Sequence, residues 1–272
     1  MKSSKIFGRG KWLALMFCLA SSVSMAQEPS DAELAKKAQN PIANMISVPL
    51  QNNTNFGIGP YNRTQNVLNI QPVLPASLGS WNLINRFIAP VVYGPDISTE
   101  SEGKFGLGDI VYQGFFTPKG SGNVTWGIGP VIVLPTATNQ ALGSGKFSAG
   151  PAAIVVAFVG KWVLGGVGYN AWSFAGKSDR PNFNQGMVQY FVNYNLQKAW
   201  YITSSPSISV NWEAPEKNKW IVPFGGGMGK IFAIGNQKLN GQVSAYWNAV
   251  KPEAVDGPDW TLRVQLVFLF PK

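Results

Sequence analysis

Residues Trp200 to Trp212 read WYITSSPSISVNW, and their side chains alternate between apolar and polar over most of the stretch. In an extended strand, neighbouring side chains point to opposite faces, so a period of two sorts the residues into two sets. One set is Trp200, Ile202, Pro206, Ile208, Val210 and Trp212, and the other is Tyr201, Thr203, Ser205, Ser207, Ser209 and Asn211. The stretch is therefore predicted to be a β-strand with one apolar and one hydrogen-bonding face.

Similar segments recur along the rest of the chain and predict about twelve strands. Their ranges are 45–58, 64–74, 80–93, 105–117, 122–135, 145–158, 161–175, 184–196, 199–212, 219–232, 238–250 and 259–270. The apolar stretch Pro151 to Tyr169 has nearly the length of a membrane helix, but Gly160 and Lys161 at its centre favour a hairpin. A soluble β-sandwich would show the same alternation, so alternation alone leaves both architectures open.

Connection lengths and tryptophan positions favour a membrane barrel. Short and long connections largely alternate on this assignment, as do the periplasmic turns and outer loops of outer-membrane barrels. Tryptophans stand near both strand ends, as expected for two aromatic belts. Those near short turns are Trp81, Trp126, Trp162 and Trp200, and those towards long loops are Trp172, Trp212, Trp220, Trp247 and Trp260. We predict an all-β fold: an antiparallel transmembrane β-barrel of about 12 strands in the bacterial outer membrane, with short periplasmic turns and longer outer loops.

Prolines inside the predicted strands argue against fully regular strands, because each removes a backbone donor that lipid cannot replace. They are Pro49, Pro72, Pro90, Pro130, Pro151, Pro206 and Pro223. We expect them at bulges or at places where the strand faces a wet lumen.

The first residues have the composition of an export signal. Four basic residues precede an apolar run, and Ser24-Met25-Ala26 has the small-x-small form of a cleavage site. We predict a signal peptide at 1–26, an N-terminal periplasmic segment at 27–44 and the barrel at 45–272. Within the segment, 31–39 (DAELAKKAQ) is interpreted as a short frayed helix, with a periplasmic plug as the alternative.

Composition excludes several classes of function. The chain has no histidine, which excludes Ser-His-Asp triads, histidine zinc sites and histidine-ligated haem. The only cysteine, Cys18, lies in the predicted signal. Removing the signal takes away four basic and no acidic residues, which lowers the formal charge from +9 to +5. We predict no catalytic, cofactor or metal site, no enzyme activity and no nucleic-acid partner.

Several longer motifs carry a resemblance to a known family. They are AKKAQNP at 35–41, ISVPLQNNTNFGIGPYNRTQNVLNIQPV at 46–73, VLPTATNQALGSGKFSAGPAA at 133–153, VPFGGGMGKIF at 222–232 and the terminal LFPK. With these motifs the chain resembles the outer-membrane family labelled "MetA-pathway of phenol degradation" over residues 30 to 272. The resemblance implies an outer-membrane barrel among proteins that move hydrophobic or aromatic compounds, and it implies no catalytic residues.

The polar strand faces predict a lumen lined mostly by Asn, Gln, Ser, Thr and Tyr. The candidate lumen-lining residues are Arg86, Asp109, Gln189, Asn193, Tyr201, Asn211, Asn240, Gln242, Tyr246 and Arg263. Neutral hydrogen-bonding groups lack a strong field of one sign, which favours small neutral solutes. We predict passive or facilitated passage of small solutes, hydrophobic or aromatic ones among them. The alternative is a non-conducting structural or interaction barrel that acts through its outer loops.

Expected partners follow from this architecture. They are outer-membrane lipid, a small neutral or aromatic solute, and the outer-membrane assembly machinery. The machinery would recognise the C-terminal strand, whose VFLF ending at 267–270 resembles an aromatic-terminated assembly signal, although Pro271 and Lys272 follow it.

Overall fold

The computed structural model describes residues 36, 38–97, 103–120, 122–253 and 257–271, which form fifteen β-strands and short connections. The strands are β1 Ile46–Ile58, β2 Arg63–Ile70, β3 Val73–Leu78, β4 Trp81–Gly94, β5 Lys104–Leu107, β6 Ile110–Pro118, β7 Val124–Leu134, β8 Lys146–Val159, β9 Trp162–Gly176, β10 Asn184–Asn195, β11 Trp200–Ser204, β12 Ser207–Asn211, β13 Trp220–Ile234, β14 Gln237–Val250 and β15 Trp260–Phe270. Three single 3₁₀ turns lie at Gln140–Leu142, Gln197–Ala199 and Glu216–Asn218. The predicted signal at 1–26 lies outside the described residues.

The strands close into one antiparallel barrel. The barrel is closed because the first strand, β1, pairs with the last, β15, and β9 pairs with β10. The remaining strands pair with neighbours on both sides, except where two short strands follow each other along the same side of the barrel. In three places the chain runs from one end of the barrel to the other as two consecutive strands with a short break between them: β2 and β3, β5 and β6, and β11 and β12. The fifteen strands therefore correspond to twelve passes of the chain along the barrel wall. The prediction of about twelve antiparallel strands is confirmed. No helix within the described ranges is long and apolar enough to cross a membrane.

The prolines account for two of the three interruptions. Pro72 lies between β2 and β3, and Pro206 lies between β11 and β12. Pro223 stands at a register shift in β13, and Pro130 and Pro151 face each other across β7 and β8. The barrel thus tolerates these residues by breaking strands, by a bulge, or by placing two residues without N–H groups opposite each other.

The two ends of the barrel differ in their connections. Turns of two residues join β3 to β4, β8 to β9 and β13 to β14, and each begins with a glycine at positive φ, Gly79, Gly160 and Gly235. A two-residue hairpin turn needs such a conformation, which glycine adopts at little cost. The opposite end carries longer loops, such as 135–145 and 251–259. β1 begins and β15 ends at the short-turn end, where Ile46 pairs with Phe270, and this is the periplasmic end of outer-membrane barrels.

The outer surface of the barrel is mostly apolar. Outward side chains at mid-strand, such as Val243 and Met228, are about half exposed, at 51% and 55%. All nine tryptophans of the described residues are exposed, and they stand near one or the other strand end. Trp81 and Trp126 meet edge to face at 5.9 Å near the short-turn end, and Trp212 and Trp220 do so at 5.6 Å near the long-loop end. This surface suits lipid bounded by two interfaces.

The barrel interior is divided into an apolar half and a polar half. Inward side chains of β3, β4 and β6 to β10 form one buried cluster: Val73, Ile84, Phe115, Val131, Val133, Ala152, Ile154, Val156, Val163, Val167, Ala171 and Phe191, together with Ile42. The expectation of a mostly polar lumen is wrong for this half. Strands β7 to β9 are apolar on both faces over most of their length, apart from the buried Lys146 and Ser148 at the start of β8, and their apolar inward side chains pack on one another.

Residues 38–45, here called the N-terminal segment, enter the barrel at its short-turn end. Ile42 is 3% exposed and packs in the apolar cluster, while Met45 packs against Ile231, Val267 and Leu269. The Gln39 amide nitrogen donates to the Asn195 side-chain oxygen at 2.8 Å. Apolar burial and a polar contact together hold the segment in the lumen.

Candidate functional site in the barrel lumen

Arg263 lies at the centre of the polar half. It is on β15 opposite Asn53 of β1, and its Nε donates to the Asn53 Oδ1 at 2.9 Å. Its Nη1 donates to the Ser205 carbonyl oxygen at 2.8 Å, and its guanidinium lies 5.0 Å from the Tyr246 ring centroid. Arg263 is 6% exposed, so these contacts fix a buried charge among neutral groups.

Arg86 is a second charge of the same interior. It points inward from β4, where its Nη2 donates to the Gln71 Oε1 at 2.6 Å and its Nη1 donates to the Gln113 Oε1 at 3.3 Å. Gln71 lies at the interruption between β2 and β3, and Gln113 is fully buried on β6. The proline that breaks the strand therefore also places an amide beside the arginine.

Tyr201 of β11 reaches over β13 to contact β14, and the β13 residue beneath its ring is a glycine. The Tyr201 hydroxyl donates to the Asn240 Oδ1 at 2.7 Å, and it lies 3.3 Å from the Gln242 Oε1. Gly229 of β13 stands between them in the sheet, and a Cβ there would overlap the Tyr201 ring. A glycine is needed at this position because the ring passes directly over its backbone.

The interruption at Ser205 supplies a hydrogen-bond acceptor to the lumen. The Ser205 carbonyl accepts from the Gln189 Nε2 at 3.1 Å as well as from Arg263. The Ser205 hydroxyl lies 3.2 Å from the Tyr246 hydroxyl. Because the β-ladder stops next to Pro206, this backbone carbonyl is available to side chains.

Two cavities lie along this polar half. The deeper cavity, of about 140 Å³, is lined by Arg86, Arg263 and neighbouring amides, and the N-terminal segment contributes to its wall from Ala38 to Pro41. The outer cavity, of about 490 Å³, lies towards the long-loop end. Gln51 and Arg263 line both cavities, so these two side chains stand at their junction.

The structure brings most of the predicted lumen residues together. Arg86, Gln189, Asn193, Tyr201, Asn240, Gln242 and Arg263 line the deeper cavity, and Tyr246 and Arg263 line the outer one. Asn211 ends β12 opposite Gln185, near the long-loop end. Asp109 lies apart from both cavities, at the interruption between β5 and β6, and its carboxylate accepts from the 135–145 loop: from the Ser144 N at 2.6 Å, the Ser144 Oγ at 2.7 Å and the Ala137 N at 3.2 Å.

Sequence reasoning missed several cavity residues. Thr203 and Ser205 belong to the predicted polar face but not to the candidate lumen-lining residues. Gln51, Gln71 and Gln265 also line the deeper cavity. The prolines next to Gln71 and Ser205 were the available signal, since an interrupted strand frees polar groups for other contacts.

Among the described residues that line the two cavities, the charged side chains are Arg86 and Arg263, both of them positive. Ion pairs between described residues lie at the long-loop end, at Lys217–Glu253, Lys219–Glu216 and Lys251–Asp259, and none of these pairs includes Arg86 or Arg263. The described part of the chain also contains no cluster of acidic, cysteine or histidine side chains able to hold a metal ion. The lumen thus offers two guanidinium groups, amides and hydroxyls, beside an apolar wall.

These features define a class of protein: a closed transmembrane β-barrel of the outer membrane, with polar cavities inside. No protein-family profile and no curated protein sequence matches the chain. Among solved structures, an outer membrane channel from Pseudomonas putida F1 has 17% sequence identity and a TM-score of 0.60, covering 83% of this chain and 94% of that chain. A toluene transporter from P. putida has 8% identity and a TM-score of 0.42, covering 89% and 92%. The first of these likenesses shows a shared barrel fold.

Proposed function

We propose that the barrel mediates passive or facilitated passage of small solutes, including hydrophobic or aromatic ones, across the outer membrane. The observation that carries the proposal is the pair of cavities that meet at Gln51 and Arg263 inside a closed barrel. Together they extend from the long-loop end to the N-terminal segment. The similar fold of an outer membrane channel and the resemblance to the phenol-degradation family support this function, and membership of that family is itself part of the proposal.

The N-terminal segment is the obstacle to passage in this proposal. Gln39 and its neighbours line the deeper cavity, and Ile42 is buried in the apolar cluster, which shares Val73 and Phe191 with that cavity. A solute that reaches the deeper cavity therefore meets the segment before the periplasm. We infer that this segment, residues 38–45, shifts when a solute passes and so acts as a movable plug.

A crosslink can test this step directly. The mature chain has no native cysteine once the signal is removed, so Cys substituted at Gln39 and Asn195 would be the only thiols. A short thiol-reactive crosslinker should join them and abolish solute uptake into liposomes, and a cleavable linker should restore uptake when reduced. The Gln39→Cys single variant, treated with the same reagent, is the matched control. Uptake unchanged by the crosslink contradicts the proposal that the segment moves.

The blocked interior favours one alternative function. The apolar half is filled by packed side chains, and the N-terminal segment occupies the short-turn end. A barrel that stays blocked would be a structural or interaction protein that acts through its outer loops. Planar-bilayer recordings with phenol, sugars and small ions separate the two. Solute-dependent block of a discrete conductance supports passage, and a correctly inserted barrel that shows neither conductance nor uptake supports the alternative.

Two further proposals concern export and assembly. We propose that residues 1–26 are removed, which N-terminal sequencing of the membrane-extracted protein should show as a chain that begins at Gln27.

We also propose that β15 is recognised by the assembly machinery through its outward Phe268 and Phe270. Replacing both by Ser should lower the amount of folded barrel in the outer membrane, whereas replacing Thr261, an inward residue of β15, by Ser should not.

A further inference from the structure

Arg86 and Arg263 are two cations in one small cavity, and among the described residues they donate hydrogen bonds only to neutral acceptors. Those acceptors are the side chains of Gln71, Gln113 and Asn53 and the carbonyl of Ser205. We propose that the deeper cavity is a carboxylate-binding site, in which both arginines bind the anionic group of a small solute with an apolar body. This inference rests on the proposed function. It differs from the sequence-based expectation in that the preferred solute is anionic rather than neutral.

The first argument is electrostatic. A charge removed from water is stabilised by an opposite charge, and amide or carbonyl dipoles replace that charge only in part. Arg263 is 6% exposed, and none of the described ion pairs supplies a carboxylate to either arginine. An anion that enters the deeper cavity therefore gains attraction from two cations for which no described carboxylate competes.

The second argument concerns hydrogen-bonding capacity. A guanidinium has five N–H groups, and each arginine uses two of its nitrogens in its bonds to these acceptors. Donors therefore remain available around the cavity, and a carboxylate, which only accepts hydrogen bonds, is complementary to them.

The third argument concerns the rest of the ligand. Val73, Phe191 and Val267 line the same cavity as the two arginines. Charged donors beside an apolar wall suit a molecule with a carboxylate at one side and an apolar body at the other. Benzoate is a compact probe with both features, and benzamide has nearly the same shape without the charge.

Binding should be measured by isothermal titration calorimetry on the full mature protein in detergent. We expect benzoate to bind at least about tenfold more tightly than benzamide, because each charge-assisted hydrogen bond adds affinity that a neutral amide lacks. Arg86→Gln and Arg263→Gln should each weaken benzoate binding about tenfold and leave benzamide unchanged. Lys230→Gln, which removes a cation beside the outward Trp200, should change neither. Equal affinities for benzoate and benzamide, or unchanged benzoate binding in both arginine variants, would overturn the proposal.

Three controls accompany the binding measurement. Arg263→Lys retains the charge if Arg263→Gln does not fold, and it should bind benzoate more tightly than any folded variant that lacks a charge there. Heat-modifiable gel migration reports whether each barrel is folded. The chain's own carboxylates are a second source of anion, so Glu28, Asp31 and Glu33 should be replaced together by Gln or Asn. If benzoate binds only to that triple variant, a carboxylate of the protein itself occupies the site in the unaltered chain, and the solute proposal is overturned.

An uptake assay distinguishes this site from the proposed function. Uptake of neutral aromatics without charge-dependent binding overturns the carboxylate site and leaves passage standing. Charge-dependent benzoate binding without uptake of any solute supports the site and contradicts passage. Uptake of benzoate ahead of benzamide, lost in the arginine variants, supports both.

Discussion

Tyr201 and Gly229 face each other across β11 and β13, and the Tyr201 ring occupies the space that a side chain at position 229 would need. The ring then reaches Asn240 on β14 with its hydroxyl at 2.7 Å. One missing side chain thus allows three strands to be tied together inside the lumen, next to the cavity that Arg86 and Arg263 line.

Gly229→Ala should destabilise the barrel by displacing Tyr201. Overpacking of a well-packed interior costs about 1–3 kcal/mol, and the Tyr201–Asn240 hydrogen bond would be lost in addition. The free energy of unfolding, measured by denaturant titration in lipid vesicles, should fall by this amount. Gly166→Ala is the matched control, because a Cβ there has no neighbour closer than 3.6 Å. An equal effect of the two substitutions would contradict this account.

Tyr201→Phe should test the hydroxyl alone. The ring remains, but the Asn240 side-chain oxygen loses its buried donor, which costs about 1–3 kcal/mol. Tyr194→Phe should cost far less, because the Tyr194 ring packs outside against Trp162 at 4.7 Å. The same unfolding measurement applies, and a loss at Tyr194 as large as at Tyr201 would show that the internal bond is not the cause.

The apolar exterior predicts a depth-dependent penalty for charge. Val243 is outward at the middle of β14 and 51% exposed, so Val243→Arg should lower the free energy of unfolding by about 2–4 kcal/mol in a bilayer. Ile234 is exposed at the end of β13, and Ile234→Arg should cost about 0–1 kcal/mol. Equal penalties at both positions would mean that Val243 does not face lipid.

Ile42→Asp should expel the N-terminal segment from the lumen. An unpaired carboxylate among Ile84, Phe115 and their neighbours is far less stable than one in water, so the segment should leave the barrel. Conductance in planar bilayers should then rise above that of the unaltered protein. Asn44→Asp adds the same charge at an exposed position of the same segment and should leave conductance unchanged. A silent Ile42→Asp barrel would show that the block lies elsewhere.

Asp109 is expected to hold an outer loop rather than to contact solute. Its carboxylate accepts from Ser144 and from the Ala137 backbone, so Asp109→Ala should make 135–145 more susceptible to limited proteolysis. Asp179→Ala, at an exposed loop position, should leave the cleavage rate of 135–145 unchanged. Benzoate binding should be the same in both variants, and a loss confined to Asp109→Ala would place that residue in the solute pathway.

The strand pattern was predictable because period two is a local property of the chain. The predicted ranges 219–232 and 259–270 differ from β13 and β15 by two residues or fewer at each end. Where one face of a strand contacts lipid and the other faces a polar lumen, as along much of β15, apolar and polar side chains alternate and identify the two faces. Arg263 and Gln242 could therefore be placed inside from alternation alone.

The sequence by itself determined the twelve passes of the chain along the barrel wall, the order of short and long connections, and the two belts of tryptophan. Each of these depends on residues close together in the chain. The tertiary structure alone decided that inward side chains of β3, β4 and β6 to β10 fill half of the interior as one apolar cluster, since strands such as Lys146–Val159 are apolar on both faces over most of their length. It also decided that Ile42 lies inside the barrel and that Arg86 and Arg263 share one cavity. These relationships join residues far apart in sequence, and only closure of the barrel sets the distances between them.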